Sequence, residues 1–100
     1  MTILKYEGEK LNLNLYKYTD GNLAVVLTCD EGPFATVSVN LPESSNLGEN
    51  TFYVKHWGQE GIIKALVDQN IIIEAKDVPP TRSGYVDNIK AYRLVNGCNN

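Results

Sequence analysis

The residues that could do chemistry are few and widely spaced. His56 is the single histidine, set in Val54-Lys55-His56-Trp57-Gly58. As a general base it needs a nucleophile within hydrogen-bond reach and a third group to orient it. The sequence supplies neither, and the plainer reading is a surface residue where a strand meets a helix. Cys29 and Cys98 are the two thiols. With one distant histidine they lack the closely spaced ligand pairs of a zinc site. Cys29 reads as a small buried hydrophobe and Cys98 as an exposed thiol in a polar tail. Asp30 and Glu31 are adjacent carboxylates, but neighbours in a turn point apart and stay solvated. Their turn lacks the alternating oxygen ligands of a calcium loop. Gly58-Gln59-Glu60-Gly61 has neither the Lys-Ser/Thr ending of a phosphate loop nor the spacing of a dinucleotide fingerprint. No catalytic residue, metal site or cofactor is expected.

Binding residues are easier to nominate. Tyr16, Tyr18 and Phe34 fall at even positions of the first strands. With Ala24 and Val26 they would make an apolar patch on the outer surface of a sheet, the kind of surface that takes a partner. A terminal strand or loop covering that face is the competing reading. Stacked bases there would need basic neighbours, and Lys10 and Lys17 are thin support. Asp30 and Glu31 add a polar turn beside this face. In Thr81-Arg82-Ser83-Gly84-Tyr85, Arg82 could clamp a carboxylate or phosphate with two parallel bonds. Its structural alternative pairs Arg82 with a nearby acid, gives Gly84 a tight turn and packs Tyr85 into the sheet.

The elements that must position these residues follow from periodicity. Leu11, Leu13 and Leu15 alternate with Asn12, Asn14 and Tyr16, the period of a strand. Thr19-Asp20-Gly21 and Asp30-Glu31-Gly32 separate this run from Leu23 to Thr28 and from Phe34 to Leu41, giving two hairpins. A three-residue loop with Gly21 left-handed pairs Tyr18 with Asn22, Leu15 with Val25 and Leu13 with Leu27. The same loop at Asp30-Glu31-Gly32 pairs Cys29 with Pro33, Leu27 with Ala35 and Val25 with Val37. Leu11, Leu13, Leu15, Leu23, Val25, Leu27, Ala35, Val37 and Val39 then share one face. A one-residue slip would scatter that face, so the pattern selects this register.

Residues 42–50 read as a polar loop and Thr51 to Lys55 as a short strand. Gln59 to Gln69 reads as a helix with a stripe of Ile62, Ile63, Leu66 and Val67, and Asn70 as its C-terminal cap. Ile71 to Glu74 reads as a buried strand, residues 76–84 as a proline-broken loop and Tyr85 to Val95 as the last strand. The fold class is α+β: an antiparallel β-meander of about five to six strands packed on one α-helix. A single domain over residues 1–95 and a flexible tail over 96–100 are expected.

Bulk composition agrees. Over 100 residues, 43% apolar and 21% charged side chains are ordinary globular usage. A net charge of −3 argues against general affinity for nucleic acid. Cysteine usage suits a reducing compartment, and no signal peptide or membrane span is visible at the N-terminus.

Tyr18-Thr19-Asp20-Gly21-Asn22-Leu23-Ala24, Gly32-Pro33-Phe34-Ala35-Thr36-Val37-Ser38-Val39-Asn40-Leu41, Pro80-Thr81-Arg82-Ser83-Gly84-Tyr85 and Tyr92-Arg93-Leu94 together resemble a family of small proteins. It is catalogued as a domain of unknown function, carried by phages, plasmids and conjugative elements of bacteria. The resemblance runs from about Leu11 to Leu94 and is weaker over Glu43 to Gln69. It carries over no active-site residue. It implies an accessory protein in the cytoplasm of a bacterial host. Such a protein binds a host or defence protein, a CRISPR nuclease among them, and an anti-CRISPR role is one expectation. The physical route would be a sheet face or acidic edge docking onto a basic nucleic-acid channel. The alternatives are a self-associating module, monomer or homodimer, using the Tyr16, Tyr18 and Phe34 face, and a small nucleotide binder built on His56 and Arg82.

Overall fold

A computed structural model describes residues 2–95. The tail at 96–100, with Cys98, lies outside the described residues. The fold is α+β, with ten antiparallel strands and one α-helix among those residues. No helix among the described residues is long and apolar enough to cross a membrane.

The first sheet has the order β1 (Ile3–Tyr6), β2 (Glu9–Lys17), β3 (Leu23–Cys29), β4 (Gly32–Thr36). β1 precedes the alternating leucines and was not expected. Glu7 and Gly8, both left-handed (φ 50° and 78°), close it onto β2 as a two-residue loop, the geometry whose twist suits a hairpin. Leu4 then sits opposite Leu11. The β2–β3 turn is as expected. Gly21 is left-handed (φ 89°), the Tyr18 N–H donates to the Asn22 carbonyl at 2.8 Å, and Leu15 and Leu13 face Val25 and Leu27.

The β3–β4 turn corrects the expectation. Cys29 pairs with Gly32, not Pro33, so the loop is the two residues Asp30-Glu31. Thr28 faces Pro33 and Leu27 faces Ala35, which leaves Phe34 as the extra residue of a β-bulge. Pro33 has no N–H to give to a ladder, and a bulge is where a strand tolerates that. The Leu27–Ala35 opposition survives because the bulge restores the one residue that the shorter turn removes.

At Val37 the chain changes sheet. The Val37 N–H donates to the Val25 carbonyl at 2.9 Å, while its own carbonyl accepts the Lys55 N–H at 2.8 Å. Beyond it lies β5 (Ser38–Val39), the edge of a second sheet that also contains β6 (Thr51–Val54), β7 (Ile72–Glu74) and β10 (Ala91–Leu94). Its order is β5-β6-β10-β7. Val39 therefore leaves the leucine face and packs with Leu41 and Tyr53. The intervening residues 42–50 open with a 3-10 turn over Pro42–Asn46.

Side chains alternate across the second sheet, so it has two buried faces. Phe52, Val54, Ile72 and Leu94 join Leu4, Leu11, Leu13, Val25, Leu27 and Val37 in the main core. Tyr53, Ala91, Ala75 and Ile89 form a smaller cluster on the other side. The sequence predicts a buried strand over Ile71 to Glu74; Ile71 and Ile72 are buried, but β7 is an edge strand and Ile73 is 57% exposed. The single strand expected from Tyr85 to Val95 is divided. β8 (Thr81–Ser83) and β9 (Val86–Ile89) form a separate hairpin before β10.

The helix α1 (Glu60–Asp68) buries Ile62, Ile63 and Leu66 in the main core, whereas Val67 is on the open side. Asn70 (φ 60°) ends it. The Asn70 N–H reaches the Val67 carbonyl at 3.0 Å and the Ile71 N–H the Leu66 carbonyl at 2.9 Å, a Schellman closure. Two glutamines tie its ends to the first sheet. Gln69 Nε2 donates to the Lys5 carbonyl at 2.7 Å, and the Lys5 N–H donates back to Gln69 Oε1 at 3.0 Å. Gln59 Nε2 donates to the carbonyls of Lys55 at 2.7 Å and Thr36 at 3.1 Å. Gly61 in the first helical turn has a packing cause: a Cβ there would stand 2.9 Å from the Tyr6 hydroxyl.

Register makes a testable difference within β2. Leu13 is fully buried, and Leu13→Ala should lower the unfolding free energy by about 2–5 kcal/mol in urea titration. Tyr16→Ser, on the opposite face, should change it by no more than about 0.5 kcal/mol. Similar losses at both positions would contradict the register.

Candidate binding surfaces

The outer aromatic patch does not assemble. Tyr16 is 55% exposed on the outer face of β2. The Tyr18 hydroxyl is 2.9 Å from Ser38 Oγ, which also accepts the Val25 N–H at 2.9 Å. Tyr18 thus serves the corner between the sheets. Phe34, displaced by the bulge, meets Tyr6 edge to face with centroids 6.4 Å apart. Tyr6 packs against the main core, so Phe34 has left the Tyr16 side. Ala24 is buried. Val26, half-buried, stands among polar neighbours: Asn14 Nδ2 donates to Thr28 Oγ1 at 2.7 Å and to the Asn12 carbonyl at 3.2 Å. Of the three expected contact residues, Tyr16 alone remains an exposed ring on this face, and Phe34 is exposed elsewhere.

Asp30 and Glu31 are exposed at one end of the first sheet. The β1–β2 and β3–β4 turns lie side by side there. Glu9, Lys10, Asp30 and Glu31 line a shallow concavity with Gly8 and Cys29, and Glu7 sits in the adjoining turn. The sheet thus gathers acids that are far apart in sequence. Glu9 carries no signal of its own in the sequence, because it is the β1 pairing that brings it beside the second turn. No group of three potential metal ligands occurs among the described residues. Cys29 is half-buried against the main core, as expected.

The β8–β9 hairpin carries the other two nominated residues. Gly84 is left-handed (φ 60°), and Ser83 pairs with Val86, so Gly84-Tyr85 is a two-residue tip. Arg82 Nε contacts Asp87 Oδ1 at 3.2 Å across the two strands. Both side chains are largely solvated, so the pair guides orientation more than it stabilises. Tyr85 does not pack into the sheet. It is the most exposed large apolar residue described, at 105% of its reference area. A tip of two residues points its side chain away from both strands, with nothing beyond to cover it. The base is firmly held: Val78, Val86 and Ile89 pack on the smaller cluster, and Arg93 Nη2 reaches Asp77 Oδ2 at 3.3 Å.

His56 and Arg82 meet at Asp87, by different atoms. His56 Nε2 is 3.3 Å from the Asp87 carbonyl, while Arg82 takes the carboxylate. His56 stands edge-on to Trp57 at 5.3 Å and lines an open groove of about 390 Å³ between α1 and the second sheet. Val54, Ile63, Val67 and Tyr92 contribute its apolar surface. Burial, then the Glu74 charge, push the Tyr92 hydroxyl above its ordinary pKa, so it stays neutral. Arg82 lies outside this groove, in a separate depression with Pro80, Thr81 and Asp87. The two do not face one cavity. Gly58-Gln59-Glu60-Gly61 starts the helix, and its Gln59 side chain is engaged by the backbone carbonyls described above.

Compared with protein-family models, curated proteins and solved structures, the chain matches none.

Two exposed carboxylates set an acid limit. Asp77 lies below the ordinary 3.8 chiefly because Arg93 donates to it, and Asp20 lies below 3.8 chiefly because the Asn40 amide does. A depressed folded pKa contributes stability that is present above the unfolded value and lost as pH falls through the folded one. Stability should therefore decline only below about pH 4 on account of these groups. Carboxyl NMR titration should place the Asp77 midpoint beneath 3.8. A midpoint at or above that value would contradict the Arg93 contact.

Proposed function

We propose that this protein is a non-enzymatic binding protein of a mobile genetic element, one that inhibits a bacterial defence nuclease such as a CRISPR effector in the host cytoplasm. The observation that carries the binding half of this reading is Tyr85, fully exposed at the tip of a hairpin rooted in the smaller cluster. Tyrosine brings a large ring with few rotatable bonds, and such residues supply much of the affinity at protein interfaces. A hairpin rooted in a packed cluster loses little conformational freedom when it docks, which favours affinity.

The nuclease half rests on the family resemblance, with support from charge. Glu7, Glu9, Asp30 and Glu31 outnumber Lys10 at one end of the first sheet, and that acidic balance suits a basic channel that ordinarily holds nucleic-acid backbone. The non-enzymatic half is supported by His56, whose ring neighbours are Trp57 and a backbone carbonyl.

In cells whose CRISPR nuclease targets a plasmid, the protein should restore transformation. Tyr85→Ala should keep the melting temperature while weakening binding to the nuclease by roughly 30-fold, the value of about 2 kcal/mol for a hot-spot residue. Absence of rescue across nuclease types would refute the inhibitory role. Full activity of the Tyr85→Ala protein would remove the hairpin as the contact.

A further inference from the structure

Four strands bound the two sheets, and an unpaired edge offers its N–H and C=O groups to any strand that comes alongside. Three of the four edges are occupied in part. On β1 the Gln69 amide exchanges two hydrogen bonds with Lys5, standing in for a neighbouring strand. On β4, Pro33 has no N–H to offer, and Gln59 Nε2 bonds the Thr36 carbonyl at 3.1 Å. β5 lies against β3, where the Val25 N–H donates to Ser38 Oγ.

β7 is different. The Ala75 N–H donates to the Ala91 carbonyl at 2.9 Å and the Val95 N–H to the Ile71 carbonyl at 3.0 Å, with Ile73 opposite Arg93. In an antiparallel ladder, hydrogen-bonded pairs alternate with non-bonded ones. Ile71, Ile73 and Ala75 therefore engage β10, and Ile72 and Glu74 direct their backbone groups outward. Between them stands Ile73, 57% exposed. The strand carries no proline, bulge or lysine to discourage a neighbour.

We propose that β7 pairs antiparallel with the β7 of a second copy of this chain, about a two-fold axis at Ile73. The spacing is self-complementary. Centred on Ile73, each outward Ile72 meets an outward Glu74 of the other copy, and all four outward groups of each copy are satisfied. Ile73 then faces its own symmetry mate in a non-bonded pair, where side chains come closest. Centring on Glu74 instead would set two like charges face to face. Moving the axis to lie between two residues would turn the outward groups past one another. The pairing joins two four-stranded sheets into one and carries two Tyr85 hairpins. It does not depend on the inhibitory function.

The contact is small, so the dimer should be concentration-dependent. Sedimentation of the unmodified protein up to about 1 mM should show mass rising toward twice the monomer. Over the same range the Ile72 and Glu74 amides should become slower to exchange, while those of Ile73 and Ala75 stay protected throughout. Ile73→Lys and Glu74→Pro should each abolish the rise. Position 74 tolerates proline because its N–H does not bond β10, and circular dichroism checks that both variants stay folded. A monomer mass at about 1 mM would overturn the proposal. So would a dimer in which the Ile72 and Glu74 amides stay exposed, or protection of those amides that arises only on adding a different protein.

Discussion

The hydrogen bonds on either side of Val37 hold the architecture together. Its N–H belongs to the first sheet and its carbonyl to the second, so one residue ends one ladder and begins the other. Around it, Ser38 Oγ accepts the Val25 N–H and contacts the Tyr18 hydroxyl, filling the place where the β3 ladder would otherwise stop short. The buried Val37 side chain lies in the main core with residues of both sheets and of α1. A buried polar backbone group without a partner costs roughly 1–3 kcal/mol, so a corner of this kind is strongly specified.

The surfaces proposed for a partner stand at a distance from that corner. The first sheet presents its acidic turns at one end. The smaller cluster on the far face of the second sheet roots the Tyr85 hairpin. The helix adds rigidity rather than chemistry. Gln59 and Gln69 fasten its two ends to β4, β1 and the residue after β6, and Gly61 lets it sit close to Tyr6. The groove beside His56 has an apolar floor and both signs of charge at its rim, and Lys64 there is already paired with Asp68 at 2.7 Å.

Much of this was legible in the residues. The leucines at 11, 13 and 15 and the left-handed Gly21 fix the β2–β3 register because a slip of one would expose the whole face. Ile62, Ile63, Leu66 and Asn70 define the helix and its close by local rules alone. What was hidden depends on tertiary placement. β1 has only Leu4 and Tyr6 facing inward, too short an alternation to stand out. Pro33 signalled trouble in the ladder, but not that the turn would shorten and a bulge would carry Phe34 away from Tyr16. Val39 continues the alternation unbroken, yet the chain crosses to a second sheet two residues earlier. Pro79 and Pro80 marked a break correctly, but they concealed the hairpin just beyond them. Tyr85 reads as the first residue of a strand because a strand pattern cannot show that its first residue is a turn.

The corner at Val37 welds both sheets into one cooperative unit. Native-state hydrogen exchange tests it most directly. The amide of Leu27 in the first sheet and that of Val54, which donates to the Lys90 carbonyl in the second, should open with the same free energy, equal to that of global unfolding. A Val54 amide that opens well below the Leu27 amide would mean that the second sheet unfolds by itself, and the account would be wrong.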